Sequence, residues 1–309
     1  MTLVIKIGGG AGIATVKIVQ ELARCIAEGQ RVVVLHGGSD LTNTLSEQLG
    51  YPVRMITSPG GMTSRYTDSE TLRIFAMAVG QINTELVALL QQQGVNALGL
   101  AGVDGRLLVA RRKAVVRSVT PEGRTQILRD DYTGQVEQVN GELLSQLLAA
   151  GYTPVIAPLA LSYEGERLNV DGDRAAAAVA TALQADALVI MTNVPGLLSD
   201  PHNPATLIRT IPVHQLSEYM DYAQGRMRKK LLGAQEALRG GVPRVYIGND
   251  SLAAVLNGAG TTIAALTENE TQRRLAGQAR GPVRPSTPPL APTPMANHAK
   301  GQNEMLGER

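Results

Sequence analysis

Val4-Ile5-Lys6-Ile7-Gly8-Gly9-Gly10-Ala11-Gly12 decides how the rest of the chain is read. Three apolar β-formers surround one lysine, and three glycines follow at once. A lysine inside a buried strand needs an anionic partner, and glycine lets backbone N–H groups approach an anion closely. The stretch therefore reads as a strand that delivers a cation and a bare turn to a phosphate. The bland alternative is an edge lysine that snorkels to water.

Outward from this turn, Ile13, Val16, Val19, Leu22 and Ile26 recur at helical spacing. Arg31–Leu35 is a second β-branched strand, ending in His36-Gly37-Gly38-Ser39 and leading to a short helix through Leu41–Leu49. The same strand, glycine turn and helix occur twice. That repetition predicts a mainly parallel sheet with both turns at the carboxyl ends of its strands, where α/β sheets place ligands.

Further along, residues 51–66 read as loop, and Thr67-Asp68-Ser69-Glu70 has capping-box spacing before a long helix lined by Phe75, Val79, Ile82, Leu86 and Leu90. Residues 95–138 read as hairpins on the sheet edge, with turns at Asp104-Gly105 and Pro121-Glu122-Gly123. A helix over Gly141–Ala150 leads to the strand Thr153–Ala157, and a hairpin turns at Glu164-Gly165-Glu166. The alanine-rich helix 174–184, the strand Ala187–Met191 and the turn Asn193-Val194-Pro195-Gly196 follow. A basic helix after Gly225, the strand Arg244–Ile247, a short helix and the strand Thr261–Ala264 complete the ordered body.

Composition sets limits on function. The 309 residues are 44% hydrophobic and only 3% aromatic, without tryptophan. Of 29 Lys and Arg, six follow Leu266; of 27 Asp and Glu, four do; the first 266 residues therefore carry 23 of each. A neutral body with few aromatics argues against nucleic acid. No unbroken apolar run reaches the roughly 18 residues of a membrane span, and no signal-type segment opens the chain, so a cytoplasmic protein is expected. The single Cys25 excludes an internal disulfide and a cysteine-rich metal site. Six of the 16 prolines lie between residues 282 and 294, and the segment 267–309 reads as a disordered Pro-rich tail.

The motifs of P-loop enzymes, α/β-hydrolases and zincins are missing. What remains is glycine, lysine, arginine, asparagine and aspartate, a set suited to positioning and neutralising phosphate. His36 reads as a turn-packing residue more readily than as a base. Arg65, in a glycine-containing loop, is either a carboxylate fork or a solvated cation, and spacing does not choose. Asn169, Asp171 and Asp173 alternate and would share a face of an extended segment, while Asp173 alone reads equally as a helix N-cap. In Gly225-Arg226-Met227-Arg228-Lys229-Lys230 most cations read as solvent-facing, with room for one lysine turned inward opposite Lys6.

In this order, Ile5-Lys6-Ile7-Gly8-Gly9, His36-Gly37-Gly38, Asn169-Val170-Asp171-Gly172-Asp173 and Gly225-Arg226-Met227-Arg228-Lys229-Lys230 resemble the amino-acid kinase superfamily over residues 2–266, within it the acetylglutamate kinase family. Ser64-Arg65-Tyr66-Thr67-Asp68 with Gly94-Val95-Asn96-Ala97 is more similar to its branch acting on carrier-bound 2-aminoadipate in lysine biosynthesis. The resemblance implies a three-layer αβα sandwich in two lobes, an acyl-substrate lobe over 1–185 and a nucleotide lobe over 186–266. It implies that Lys6 and Lys230 stabilise the transferred phosphoryl group and that Asp173 organises them. Gly37, Gly38, Arg65 and Asn169 would bind the acyl substrate, and Gly8, Gly9, Asn193, Gly196 and Leu197 the nucleotide. ATP with Mg²⁺ is implied, without a protein metal cage, and so is a small acidic carrier protein presenting the substrate. Relatives commonly carry glycine at the position of Ser39.

Arg106, Arg111, Arg112, Lys113 and Arg117 are then expected to form either a docking surface for that carrier or an ordinary solvated edge. The absence of a helix before the first strand favours a homodimer over larger assemblies. The rival enzyme reading is an N-acetylglutamate kinase; the rival of another class is a non-catalytic amino-acid-binding module.

Overall fold

The structure is a computed structural model describing residues 1–113, 115–120 and 122–265. β1 (Thr2–Ile7), α1 (Thr15–Ala27), β2 (Arg31–His36) and α2 (Ser39–Gln48) form the two successive strand, turn and helix units. β3 (Met55–Thr57), β4 (Thr63–Arg65), the 24-residue α3 (Ser69–Gln92) and β5 (Ala97–Ala101) follow. β6 (Leu108–Arg112), β7 (Val116–Val119), β8 (Thr125–Leu128) and β9 (Thr133–Val139) lead to α4 (Gly141–Ala149) and β10 (Thr153–Ala157). The chain continues through β11 (Leu159–Leu161), β12 (Arg167–Val170), α5 (Gly172–Ala182) and β13 (Ala187–Met191). It ends with β14 (Thr210–Pro212), α6 (Leu216–Tyr219), α7 (Gly225–Arg239), β15 (Arg244–Gly248), α8 (Leu252–Leu256) and β16 (Thr261–Ala264).

The eight-stranded sheet has the order β14-β16-β15-β13-β1-β2-β10-β5, with every neighbour parallel except β15 and β16. β1 lies in its middle, buried along its whole length. Alternation along β1 separates two cores: Leu3, Ile5 and Ile7 face α1, α3 and α8, whereas Val4 faces α5 and α7. Completely buried residues such as Leu3, Ile5 and Leu22 each contribute about 1.5–3 kcal/mol relative to exposure. Lys6 shares the face of Val4, so the pleat alone sends its ammonium toward α5 and α7. The sandwich is thus three layered, as expected, and Met1–Leu266 is one compact unit.

Several expectations change. Residues 51–66 are not all loop: β3 and β4 pair as a hairpin whose Ser58–Met62 turn places Gly61 at φ 77°. Three-residue strands carry too little alternation to be read from sequence. β5 is not a hairpin strand but the parallel edge of the main sheet, paired with β10. The remaining hairpin strands form two small sheets, β4-β3-β7-β8 and a closed β11-β12-β9-β6 barrel. Val16 is 58% exposed, because the inner stripe of α1 is Ile18, Val19 and Leu22. Asp68 rather than Thr67 caps α3, accepting a hydrogen bond from Thr71 N, and Asp171 rather than Asp173 caps α5.

α3 is long and apolar enough on average to cross a membrane. It instead lays Leu72, Ile74, Phe75, Val79, Leu86 and Leu90 inward and turns Arg73, Gln81 and Glu85 outward, the pattern of a helix covering a sheet. The expected tail over 267–309 lies outside the described residues.

Candidate active site

The two glycine turns meet. A Cβ on Gly9 would fall 2.3 Å from Gly38 N and 2.5 Å from Gly37 C, and one on Gly37 would fall 2.6 Å from Gly9 N. Backbone cannot yield to such overlap, so glycine is dictated here by the neighbouring turn. Ser39 Oγ and Asp40 N both donate to Gly9 O, at 2.8 Å each. Ser39 thus pins one turn to the other, which is what its hydroxyl does in place of a third glycine. Gly8 N donates to Met191 O at 2.9 Å, joining the first turn to the end of β13.

Beside this ridge, Asp173 stands between two lysines. Lys6 Nζ lies 2.8 Å from Asp173 Oδ1, and Lys230 Nζ donates to Oδ2 at 3.1 Å. All three side chains are over nine-tenths buried. Each carboxylate oxygen of Asp173 thus faces one ammonium group, Oδ1 that of Lys6 and Oδ2 that of Lys230. Burial alone would raise the Asp173 carboxyl, but Lys6 and then Lys230 overcome it and hold it well below the usual carboxylate range. Burial and the charge of Lys6 push Lys230 below an ordinary lysine. Three charges of net +1 in a dry setting await a further anion.

Local sequence explains the placement. Asp171 Oδ1 accepts from Asp173 N and Arg174 N at 3.0 and 3.2 Å, starting α5 at Gly172 and aiming Asp173 from the first turn. The Lys6 stem passes close to the start of α5, where a Cβ on Gly172 would sit in van der Waals contact, 3.4 Å from Lys6 Cε. A Cβ on Gly233 would fall 2.9 Å from Asp173 O, so α7 packs closely enough for Lys230 to reach in. Arg174 binds Glu236 with two N–H groups, clasping α5 to α7.

Arg65 sits on the far side of the ridge. Its Nη2 donates to Ser39 O at 2.9 Å and Asn43 Oδ1 at 2.7 Å, while its buried Nε has no partner. Burial first, then the nearby Arg226, lower its pKa to about 10. It is therefore not a solvated loop cation. Asn169 donates to Thr67 Oγ1 at 3.1 Å, at the junction of β12 with the start of α3.

His36 is buried and neutral, with burial and the charge of Lys6 lowering its pKa to about 4 against the one upward pull of Gly37 O. With Nε2 accepting from Asn83 Nδ2, Nδ1–H donates to Gly37 O, each at 3.1 Å. It braces the second turn, in line with a turn-packing role.

A cleft lies along the carboxyl ends of β1, β13 and β15, bordered by Gly12, Lys17, Thr192, Asn193, Asn249 and Ser251. Asn193 lines it. Gly196 and Leu197 do not: they are held against Thr261, whose Oγ1 accepts from Leu197 N at 2.8 Å. Among the described residues no group of three His, Cys, Asp or Glu is placed to hold a metal. Of the expected docking cations, Arg111 pairs with Glu137, and Arg112 pairs with Glu166 while stacking 3.8 Å over Tyr132. These two arginines are matched by carboxylates, whereas Arg106, Lys113 and Arg117 have no ion pair among the described residues.

Sequence reasoning missed Ser39 as a pin, Asn43 and Asn83 as braces and Glu236 as the partner of Arg174. Only their position beside glycine turns or lysines marks them, because each acts across more than 20 residues of sequence.

Buried lysines on a shared aspartate thus stand beside touching glycine turns, on a mainly parallel sheet covered by helices. The model of the amino acid kinase family matches residues 1–249, and the chain belongs to that family. It is 48% identical over 268 residues to a [LysW]-aminoadipate kinase of Thermus thermophilus, covering 84% of this chain and 99% of that protein. An acetylglutamate kinase of Methanopyrus kandleri is 39% identical over 263 residues, covering 84% and 99%. Among solved structures, smu.665 from Streptococcus mutans UA159 superposes with a TM-score of 0.69 at 27% identity, covering 86% of this chain and 99% of the other.

Proposed function

We propose that the protein is an ATP-dependent kinase that phosphorylates the side-chain carboxylate of 2-aminoadipate, or of glutamate, while the amino group is held by a small acidic carrier protein. The observation that carries this reading is the buried Lys6–Asp173–Lys230 cluster beside the two glycine turns. The likeness to the Thermus kinase supplies the substrate class.

A carboxylate is ionised near neutral pH, so its oxygen attacks the γ-phosphorus without a protein base. The P–O bond to ADP breaks as the acyl-phosphate bond forms. The obstacle is repulsion between anions, and Lys6 and Lys230 answer it from two sides of the transferring group. Asp173 keeps the lysines apart and aimed. Gly37 and Gly38 offer the acceptor backbone N–H groups, Arg65 takes its α-carboxylate and Asn169 borders it. Gly8, Gly9 and Asn193 face the nucleotide, with Gly196 and Leu197 supporting that side through Thr261. The nucleotide substrate would bring a magnesium ion, whose charge would offset that of the phosphates.

In this reading residues 1–185 bind the acyl substrate and 186–266 the nucleotide, the protein is cytoplasmic and a homodimer, and the product feeds lysine or arginine synthesis. The carrier presents its bound amino acid at the mouth of the site. A second reading, an N-acetylglutamate kinase, is favoured by the Methanopyrus relative. Trapping the acyl phosphate as a hydroxamate with carrier-bound 2-aminoadipate, carrier-bound glutamate and free N-acetylglutamate decides between them. Turnover of the free acetylated substrate alone would sink the carrier reading, and no turnover of any would sink the kinase.

A further inference from the structure

Asp68 takes the cap of α3, which leaves the hydroxyl of the preceding Thr67 for another use. Thr67 is completely buried between β4 and α3, so that hydroxyl must find its partners inside the protein. It finds two. The hydroxyl donates to Arg65 O at 3.3 Å and accepts from Asn169 Nδ2 at 3.1 Å. Main chain closes the ring from behind, with Tyr132 N donating to Thr67 O at 2.7 Å and Asn169 N donating to Tyr132 O at 2.9 Å. Asp131, 1% exposed, fastens it: Oδ2 accepts from Thr67 N at 3.1 Å and Oδ1 from Thr133 N at 2.8 Å.

The direction of these bonds follows from proton count. A hydroxyl carries a single proton, and Arg65 O can only accept it. The Thr67 oxygen must then be met by a donor, which turns the nitrogen end of the Asn169 amide toward Thr67. The second amide N–H and the carbonyl oxygen of that side chain make no hydrogen bond among the described residues. Both oxygens of Asp131 receive N–H donors, so an amide in its place would set one N–H against another. Lys6, Asp173 and Lys230 stand on β1, α5 and α7 and bond to one another rather than to this ring.

We propose that Thr67 is a positioning residue for the acceptor substrate. Its hydroxyl fixes which end of the Asn169 amide is presented and ties that amide to the main chain of Arg65, so the two residues grip the acceptor as one unit. Thr67 itself acts through Asn169 and Arg65, without touching either substrate. The inference rests on the carboxyl-kinase reading above, in which Arg65 and Asn169 hold the acceptor, and adds the group that makes one site of two residues from distant parts of the sequence.

The test uses the full chain as wild type, Thr67→Val, Thr67→Ser, Asn169→Ala and the double variant Thr67→Val with Asn169→Ala. Acyl-phosphate formation is followed with carrier-bound 2-aminoadipate and ATP varied in turn, calorimetry gives the Kd of that acceptor without nucleotide, and thermal denaturation reports the fold. Thr67→Val should raise the acceptor KM about tenfold while the ATP KM stays within about twofold, and Thr67→Ser should restore most of the loss. In the Asn169→Ala background the same change should cost about twofold or less. Thr67→Ala carries the comparison should Thr67→Val fail to fold, and free N-acetylglutamate replaces the carrier-bound compound should it be the one turned over. A parallel rise in both KM values, or a lower Tm with unchanged kinetics, would show that Thr67 serves the fold alone and overturn the proposal. An undiminished loss in the Asn169→Ala background would overturn it too. Binding of the acceptor by wild type without turnover sinks the kinase reading; a Kd weakened by Thr67→Val and not by Thr67→Ser then leaves the positioning role standing, and an unchanged Kd sinks both. Wild type that neither turns over nor binds either acceptor overturns both as well.

Discussion

Arg174 and Glu236 join α5 to α7 through contacts of 2.9, 2.9 and 2.5 Å, with Arg174 next in sequence to Asp173 and Glu236 on the same helix as Lys230. The pair sets how α7 sits along α5, and with it the reach of Lys230 to Asp173. Both side chains are partly exposed, so the pair contributes on the order of 1 kcal/mol to stability. Arg174→Ala or Glu236→Ala should lower kcat by about tenfold with Tm nearly unchanged, and the exchanged pair Arg174→Glu with Glu236→Arg should recover part of it. Steady-state kinetics beside thermal denaturation test this. Equal loss in both single variants and in the exchange would mean the clasp does not position Lys230.

Lys6 and Asp173 should separate chemistry from folding. Lys6→Met leaves Asp173 with Lys230 and should lower kcat by about a hundredfold to a thousandfold while the protein stays folded. Asp173→Asn leaves two buried ammonium groups facing each other, a change that costs about 3–5 kcal/mol. Its Tm should therefore drop more than that of Lys6→Met. The needed form of Lys230 is protonated and its pKa is lowered, so kcat should begin to fall at a lower alkaline pH than for an ordinary lysine. A Lys6→Met variant with a tenth or more of wild-type kcat would remove Lys6 from the mechanism.

His36 sets an acid limit on stability. Its pKa is about 4 folded, against 6.5 for an ordinary histidine. The unfolded chain therefore takes a proton first as pH falls. Stability from keeping His36 neutral is intact above 6.5 and is lost as pH falls toward about 4. Between about pH 7.5 and about pH 5 the loss is about 2 kcal/mol. Urea unfolding at the two pH values measures it, and His36→Gln should flatten the difference. An undiminished dependence in that variant would assign the effect elsewhere.

The glycine turns, Lys6 and the basic helix were legible because each is a local pattern: an apolar run broken by a charge, or a strand that stops at glycine. The parallel sheet followed from seeing the unit twice. Less legible was anything set by pairing across the chain. Ile56 alone points inward from β3, so the hairpin that presents Arg65 gives no periodic signal. Asp173 and Asp171 differ by one turn-forming residue, and only the helix start at Gly172 shows which of them caps and which is free to meet the lysines. Arg111 and Arg112 looked available as docking cations because Glu137 and Glu166, which neutralise them, are 26 and 54 residues away.

The main-chain contact between Gly9 and Gly37 has a mechanical result. With no side chain between the turns, their main chains meet directly, so in the proposed kinase the phosphate half and the acceptor half of the site would be joined through backbone. Substituting lysines or arginines can loosen the hold on either ligand. The angle at which the two ligands meet is written in the backbone, out of reach of any single side chain.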